Sequence, residues 1–108
     1  MREQTIVLNT MEGMTGEILE RTRDYTIQKD DSGNVWAVFQ NSSMEEAAVK
    51  MTLTGLKPGA MFEITIGRQL QTVQFKKANR AGILETKWII PENSILKVFE
   101  VETEKRDR

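Results

Sequence analysis

Apolar and polar residues alternate with a period of two through most of this chain. Val49, Met51 and Leu53 are separated by Lys50 and Thr52, and Phe62, Ile64 and Ile66 by Glu63 and Thr65. Successive side chains of an extended strand point to opposite faces, so this period predicts strands with one face on a core and the other in solvent. Similar runs cover residues 4–10, 15–21, 25–29, 35–40, 70–77, 83–90 and 95–102, giving eight or nine strands in all. The same pattern assigns Val7, Trp36, Val38, Met51, Leu53, Phe62, Ile64, Val73, Phe75, Trp88, Ile90 and Val98 to the core.

Turn-forming residues fall between these runs: Glu12-Gly13, Asp31-Ser32-Gly33-Asn34, Lys57-Pro58-Gly59, residues 79–82 and Pro91-Glu92-Asn93. Their spacing, roughly 8 to 12 residues, is that of a sandwich or barrel. Only residues 44–49 hint at helix, with Asn41, Ser42 or Ser43 as cap and Glu45 and Glu46 in the first turn. Val49 already belongs to the next strand, so one turn is the most this segment can form. With no helix long enough for a parallel crossover, the strands are expected to run antiparallel in two packed sheets. The chain then reads as a single all-β sandwich over residues 1–108, with residues 103–108 a frayed charged tail.

The segment 52–66 reads Thr-Leu-Thr-Gly-Leu-Lys-Pro-Gly-Ala-Met-Phe-Glu-Ile-Thr-Ile. Its Leu56, Pro58, Gly59 and Phe62 resemble the strand, turn and strand of fibronectin type III and related immunoglobulin-like sandwiches. Leu56 would plug the sandwich end, Pro58 and Gly59 set the turn, and Phe62 re-enter the core. The runs that follow, over residues 71–77, 83–90 and 95–102, are similar in order to small β-sandwich domains appended to bacterial glycoside hydrolases and polysaccharide lyases. That resemblance covers the second half of the chain. It implies an antiparallel immunoglobulin-like β-sandwich, a non-catalytic role, and either packing against an enzyme core or binding of glycan.

Composition narrows the chemistry further. The 108 residues include no Cys and no His, which removes disulfides, thiolate metal sites, cysteine nucleophiles, the commonest general base and the usual zinc ligand. Catalysis would have to rest on carboxylates, Lys or a carboxylate-bound metal, so no enzyme, cofactor or metal site is expected. No apolar run is long enough to span a bilayer, and the N-terminal residues carry too short an apolar core for a secretory leader. The compartment stays open: an extracellular role would require a leader already removed, or a module cut from a longer secreted chain.

The net charge of −1 gives no nucleic-acid signal. It is unevenly spread, with four basic against nine acidic residues up to Ala47 and eleven against seven after it. Arg68, Lys76, Lys77, Arg80 and Lys87 make the richest basic stretch, either a binding patch or a solvated surface guarding sheet edges. Trp36, Trp88 and Tyr25 are the rings available for stacking on a sugar or nucleobase, although both tryptophans also read as core. Met1, Met11, Met14, Met44, Met51 and Met61 read as gap-fillers, with an apolar contact patch as the alternative.

Asp30, Ser32 and Asn34 around Gly33 alternate oxygens as a calcium loop does, but Phe39 stands where that loop needs its bidentate Glu, and a plain hairpin turn accounts for them. Glu45 with Glu46, or Glu17 with Glu20, are the nearest thing to a glycosidase carboxylate pair. The expectation is therefore a binding or scaffolding module, with a protein partner or parent-chain domain, or a glycan, as its ligand. The alternatives are a self-assembling structural protein such as a phage virion subunit, whose function would be a homo-oligomer, and a small carboxylate enzyme.

Overall fold

Nine strands and no helix make up residues 2–11 and 16–101, the part of the chain that the computed structural model describes. The expected charged tail at residues 103–108 lies outside the described residues. In chain order the strands are β1 (Arg2–Asn9), β2 (Ile18–Arg21), β3 (Tyr25–Lys29), β4 (Val35–Asn41), β5 (Ala47–Thr54), β6 (Met61–Ile66), β7 (Gln71–Lys77), β8 (Leu84–Ile90) and β9 (Ser94–Glu100). They form a three-stranded sheet, β1-β5-β8, and a six-stranded sheet, β2-β3-β4-β9-β6-β7. Buried side chains from both sheets join one hydrophobic cluster, which makes the arrangement a β-sandwich.

The pairing is antiparallel with one exception. β1 runs parallel to β5, in a register that sets Ile6 beside Met51 and Leu8 beside Leu53. A parallel pair needs a long connection between its strands, and here β2, β3 and β4 of the opposite sheet supply it instead of a helix. The wholly antiparallel arrangement expected from the sequence is corrected at this one edge.

Period-two alternation decides the faces. β5 turns Ala47, Val49, Met51 and Leu53 inward, and β6 buries Phe62 and Ile64 completely. Met51, Leu53, Phe62, Ile64, Ile90 and Val98 are all in the core as the sequence pattern places them. The other expected core positions move. Ile6, not Val7, faces inward on β1, leaving Val7 64% exposed on the outer face of the small sheet. On β4 the inward residues are Val35, Ala37, Phe39 and Asn41, so Trp36 and Val38 lie half-buried on the opposite face. Trp88 points inward beside Val49 but sits at the sandwich margin and is half-buried.

Val73 and Phe75 are exposed because β7 is the outermost strand of the large sheet, with solvent on both faces. A bulge opposite Ile64 and Thr65 leaves Val73 out of register altogether, since Gln74 pairs with Ile64 and Thr72 with Thr65.

The turn between β5 and β6 follows the sequence reading. The Ala60 amide donates to the Lys57 carbonyl at 3.0 Å around Pro58 and Gly59, and Gly59 has a φ of +79°, the left-handed value this turn needs. Leu56 is buried at the sandwich end, where its amide donates to Gly82. Gly82 must be glycine on two counts, a φ of +74° and backbone so close that an added Cβ would lie 2.4 Å from the Leu56 carbonyl oxygen. The segment 42–46 forms a bend with no helical turn. Its bonds come from Asn41 and Ser43 side chains, which compete with the helical ladder.

Candidate functional site

The outer face of the six-stranded sheet carries an aromatic row. Trp36 on β4 stands directly opposite Phe99 on β9, Phe99 opposite Glu63 on β6, and Glu63 opposite Phe75 on β7. Because directly paired residues project to the same side, and Ala37, Val98, Phe62 and Ile64 beside them fill the core, these four side chains share the solvent face. Gln28 on β3 extends the row beyond Trp36. The adjoining row holds Thr26, Val38, Lys97 and Thr65.

Individual side chains on this face are held in place. Lys97 lays its ammonium 4.9 Å from the centre of the Phe99 ring. Thr72 donates its hydroxyl to the Glu63 carboxylate, and Glu100 accepts the Val35 amide at 3.0 Å. Between β4 and β9 the surface dips into a groove of about 490 Å³ lined by Trp36, Val38, Ile95, Lys97 and Phe99, with Asp30, Asn34 and Glu100 also on its wall. Leu70, from the turn before β7, completes the lining with a φ of +52°. A branched side chain in the left-handed region is strained, and such residues gather at ligand clamps.

Of the stacking candidates named from sequence, this face includes Trp36 alone. Trp88 belongs to a separate corner, where Lys50, Glu85, Thr86 and Lys87 of the small sheet meet Gln74 and Lys76 of β7. There Lys50 and Lys87 are directly opposite each other across β5 and β8, and the Lys76 ammonium donates to the Glu85 carbonyl at 2.6 Å. The rest of the basic stretch disperses. Arg68 lies in the turn before β7, donating to the Asn93 carbonyl, whereas Lys77 and Arg80 lie at or beyond the strand's other end. Five basic residues close in sequence therefore form no single patch, because only Lys76 and Lys77 lie on β7, on its opposite faces, while Arg68 and Arg80 lie beyond its two ends and Lys87 is on β8 of the other sheet.

Tyr25 takes no part in either surface. It pairs with the core residue Phe39 and donates its hydroxyl to Glu20 at 2.7 Å. That bond, with burial and the Glu20 charge behind it, pushes the Tyr25 hydroxyl from its ordinary value of 10 up to about 12. Since the folded value is the higher one, the bond's contribution to stability is complete below pH 10 and is lost as the pH climbs to about 12. Tyr25 is the only tyrosine, so phenolate absorbance should show one transition near 12 that Glu20→Gln returns toward 10. A transition at 10 in the unaltered protein would mean that the bond does not form.

Other sequence candidates resolve as turns and termini. Asp30 accepts the Ser32 and Asn34 amides, each at 2.9 Å, on the same carboxylate oxygen, and Gly33 has a φ of +85°, so this segment is the hairpin turn between β3 and β4. Among the described residues no three Asp or Glu side chains gather as a metal-binding group. Met51 is core, while exposed Met11 follows β1 beside Gly55 and exposed Met44 precedes β5. The two lie at opposite ends of an eight-residue strand and make no common patch. Met1 and Met14 lie outside the described residues.

Sequence reasoning missed Phe99 and reversed Phe75. The available signal was that β4, Val-Trp-Ala-Val-Phe, and the run Ile95-Leu96-Lys97-Val98-Phe99 of β9 are apolar at both parities, as in strands covered on both sides.

No family model matches the sequence, and no curated protein does. Solved structures with a similar fold are parts of much longer chains. The GH39 enzyme from Xanthomonas axonopodis pv. citri matches 79% of this chain with a TM-score of 0.60 and 9% identity, over 27% of its own length. A GH family 44 xyloglucanase from Paenibacillus polymyxa, solved with xyloglucan, matches 73% with a TM-score of 0.53 and 10% identity, over 16% of its length. A GH family 44 endoglucanase from Clostridium thermocellum matches 71% with a TM-score of 0.50 and 6% identity, over 16% of its length. At such identities the likeness is one of fold. This chain thus spans between 16% and 27% of the length of those glycoside hydrolase chains.

Proposed function

We propose that this protein is a non-catalytic accessory module of a carbohydrate-active protein, acting through its surface rather than by turning over a substrate. The observation that carries the reading is the match of its two-sheet fold to a minor share of three glycoside hydrolase chains. Its own chemistry supports the same reading. With no His or Cys, catalysis would fall to carboxylates, Lys or a carboxylate-bound metal, and of the carboxylates Asp30, Glu20, Glu63 and Glu100 are each engaged in holding a turn, a ring hydroxyl, a neighbouring threonine or a strand end. The immunoglobulin-like, fibronectin type III-like character read from Leu56, Pro58, Gly59 and Phe62 is part of this proposal.

Two measurements on the whole chain test it: mass by light scattering after size exclusion at several concentrations, and migration through native gels cast with uncharged or acidic polysaccharides. A monomer retarded by at least one polysaccharide is the expected result. A fixed trimer or hexamer retarded by none would overturn the reading in favour of a self-assembling structural protein.

A further inference from the structure

We infer that the Trp36, Phe99 and Phe75 row is a platform for a segment of uncharged oligosaccharide, a site that deepens the accessory-module reading and rests on it. The row crosses β4, β9, β6 and β7 at a strand spacing of about 4.8 Å, so its three rings extend over about 14 Å. A sugar chain is two-sided, with flat C–H faces that stack on aromatic rings and a rim of hydroxyls that both donate and accept. The surface is divided in the same way: rings make the floor, while Gln28, Glu63 and Lys97 offer hydrogen-bonding groups within or beside the row. Thr72 occupies part of the Glu63 carboxylate and fixes its position, leaving acceptor sites for a ligand hydroxyl. The groove beside Trp36 and Phe99 is of ligand size, and strained Leu70 closes one side of it.

Charge selects among ligands that stack. Among the residues lining the groove, Asp30 and Glu100 stand against one cation, Lys97, itself drawn over Phe99, and Glu63 adds negative charge within the row, while Arg21 and Lys77 lie at the two outer margins of the same face. Single-stranded nucleic acid needs a cationic groove under its phosphates, and an acidic glycan would meet the same repulsion. The lysine-rich corner around Trp88 is the surface an anionic ligand would choose, which makes Trp88 the internal control.

The experiment is affinity electrophoresis through gels containing hydroxyethylcellulose, galactomannan or dextran, with polygalacturonate as the acidic comparison. At least one uncharged polymer should retard the whole chain. Trp36→Ala, Phe99→Ala and Phe75→Ala should each weaken that retardation about tenfold, and Trp88→Ala should leave it unchanged. A second readout needs no variant. The chain has two tryptophans, so its two indole N–H signals in NMR report the two surfaces separately, and only that of Trp36 should move with an oligosaccharide of the retarding polymer. Retardation by polygalacturonate alone, or movement of the Trp88 signal alone, would overturn the platform while leaving the accessory module standing. Retardation by no polysaccharide would overturn the platform, and the accessory module falls with it only if the chain is also a fixed oligomer in solution.

Discussion

Replacing Phe62 by Ala should lower stability by about 3–5 kcal/mol, measured from urea denaturation with an unchanged slope. The ring has no exposure to solvent and sits on β6, a strand hydrogen-bonded on one side to β9 and on the other to β7. Its neighbour Ile64 and the paired Val98 are likewise fully buried. Two flanking ladders prevent β6 from moving inward to close the gap, so the substitution loses the ring's transfer free energy and leaves a cavity as well. Phe75→Ala supplies the comparison, the same residue type on the same sheet but 55% exposed on the outer face, with an expected cost below about 1 kcal/mol. Equal losses at the two positions would mean that the faces of β6 and β7 have been reversed.

That contrast also marks how much of the fold was legible in the sequence. Where one parity of a strand is polar, as with Lys50 and Thr52 on β5 or Glu63 on β6, alternation assigns the faces unaided, and Met51, Leu53, Phe62 and Ile64 are where the pattern puts them. β4 and β9 offer no such contrast. Trp36 and Val38 compete with Val35, Ala37 and Phe39 for the inside, and the larger ring loses because the register with β9 places it beside Phe99. β7 fails for a different reason. Its alternation is sound, but an edge strand has no second sheet to bury either face, and edge position depends on strand order, a tertiary property. The same limit hid the candidate site. Phe99, Glu63 and Phe75 are far from Trp36 in the chain and become neighbours only through the order β4-β9-β6-β7. The turn at Pro58 and Gly59, by contrast, is written in local chemistry and needed no topology.

Asn41→Asp, a change of one atom type, should cost on the order of 3–5 kcal/mol at neutral pH. Asn41 is fully buried at the end of β4, where the alternating pattern would call for an apolar side chain. Its amide nitrogen donates toward three carbonyl oxygens, of Glu45 at 2.9 Å, Ile90 at 3.1 Å and Pro91 at 3.0 Å. Its oxygen accepts the Ser43 amide at 3.1 Å and the Ser43 hydroxyl at 2.7 Å. One side chain on the large sheet thereby ties the β4–β5 bend to the end of β8 on the small sheet, and it satisfies the carbonyl of Ile90 in a buried hydrogen bond. An ionised carboxylate keeps the acceptor half of this set but sets negative charge against the three carbonyl oxygens. Protonation restores one donor, so burial and those carbonyls raise the introduced carboxyl's pKa above its unfolded value. A raised value means that stability is lost as the pH rises through it, so the deficit relative to the unaltered protein should shrink on going from neutral to acidic pH. Denaturant melts of both proteins at the two pH values measure this. A deficit under about 1 kcal/mol, or one that does not change with pH, would show that Asn41 does not carry the contacts between the two sheets at this end.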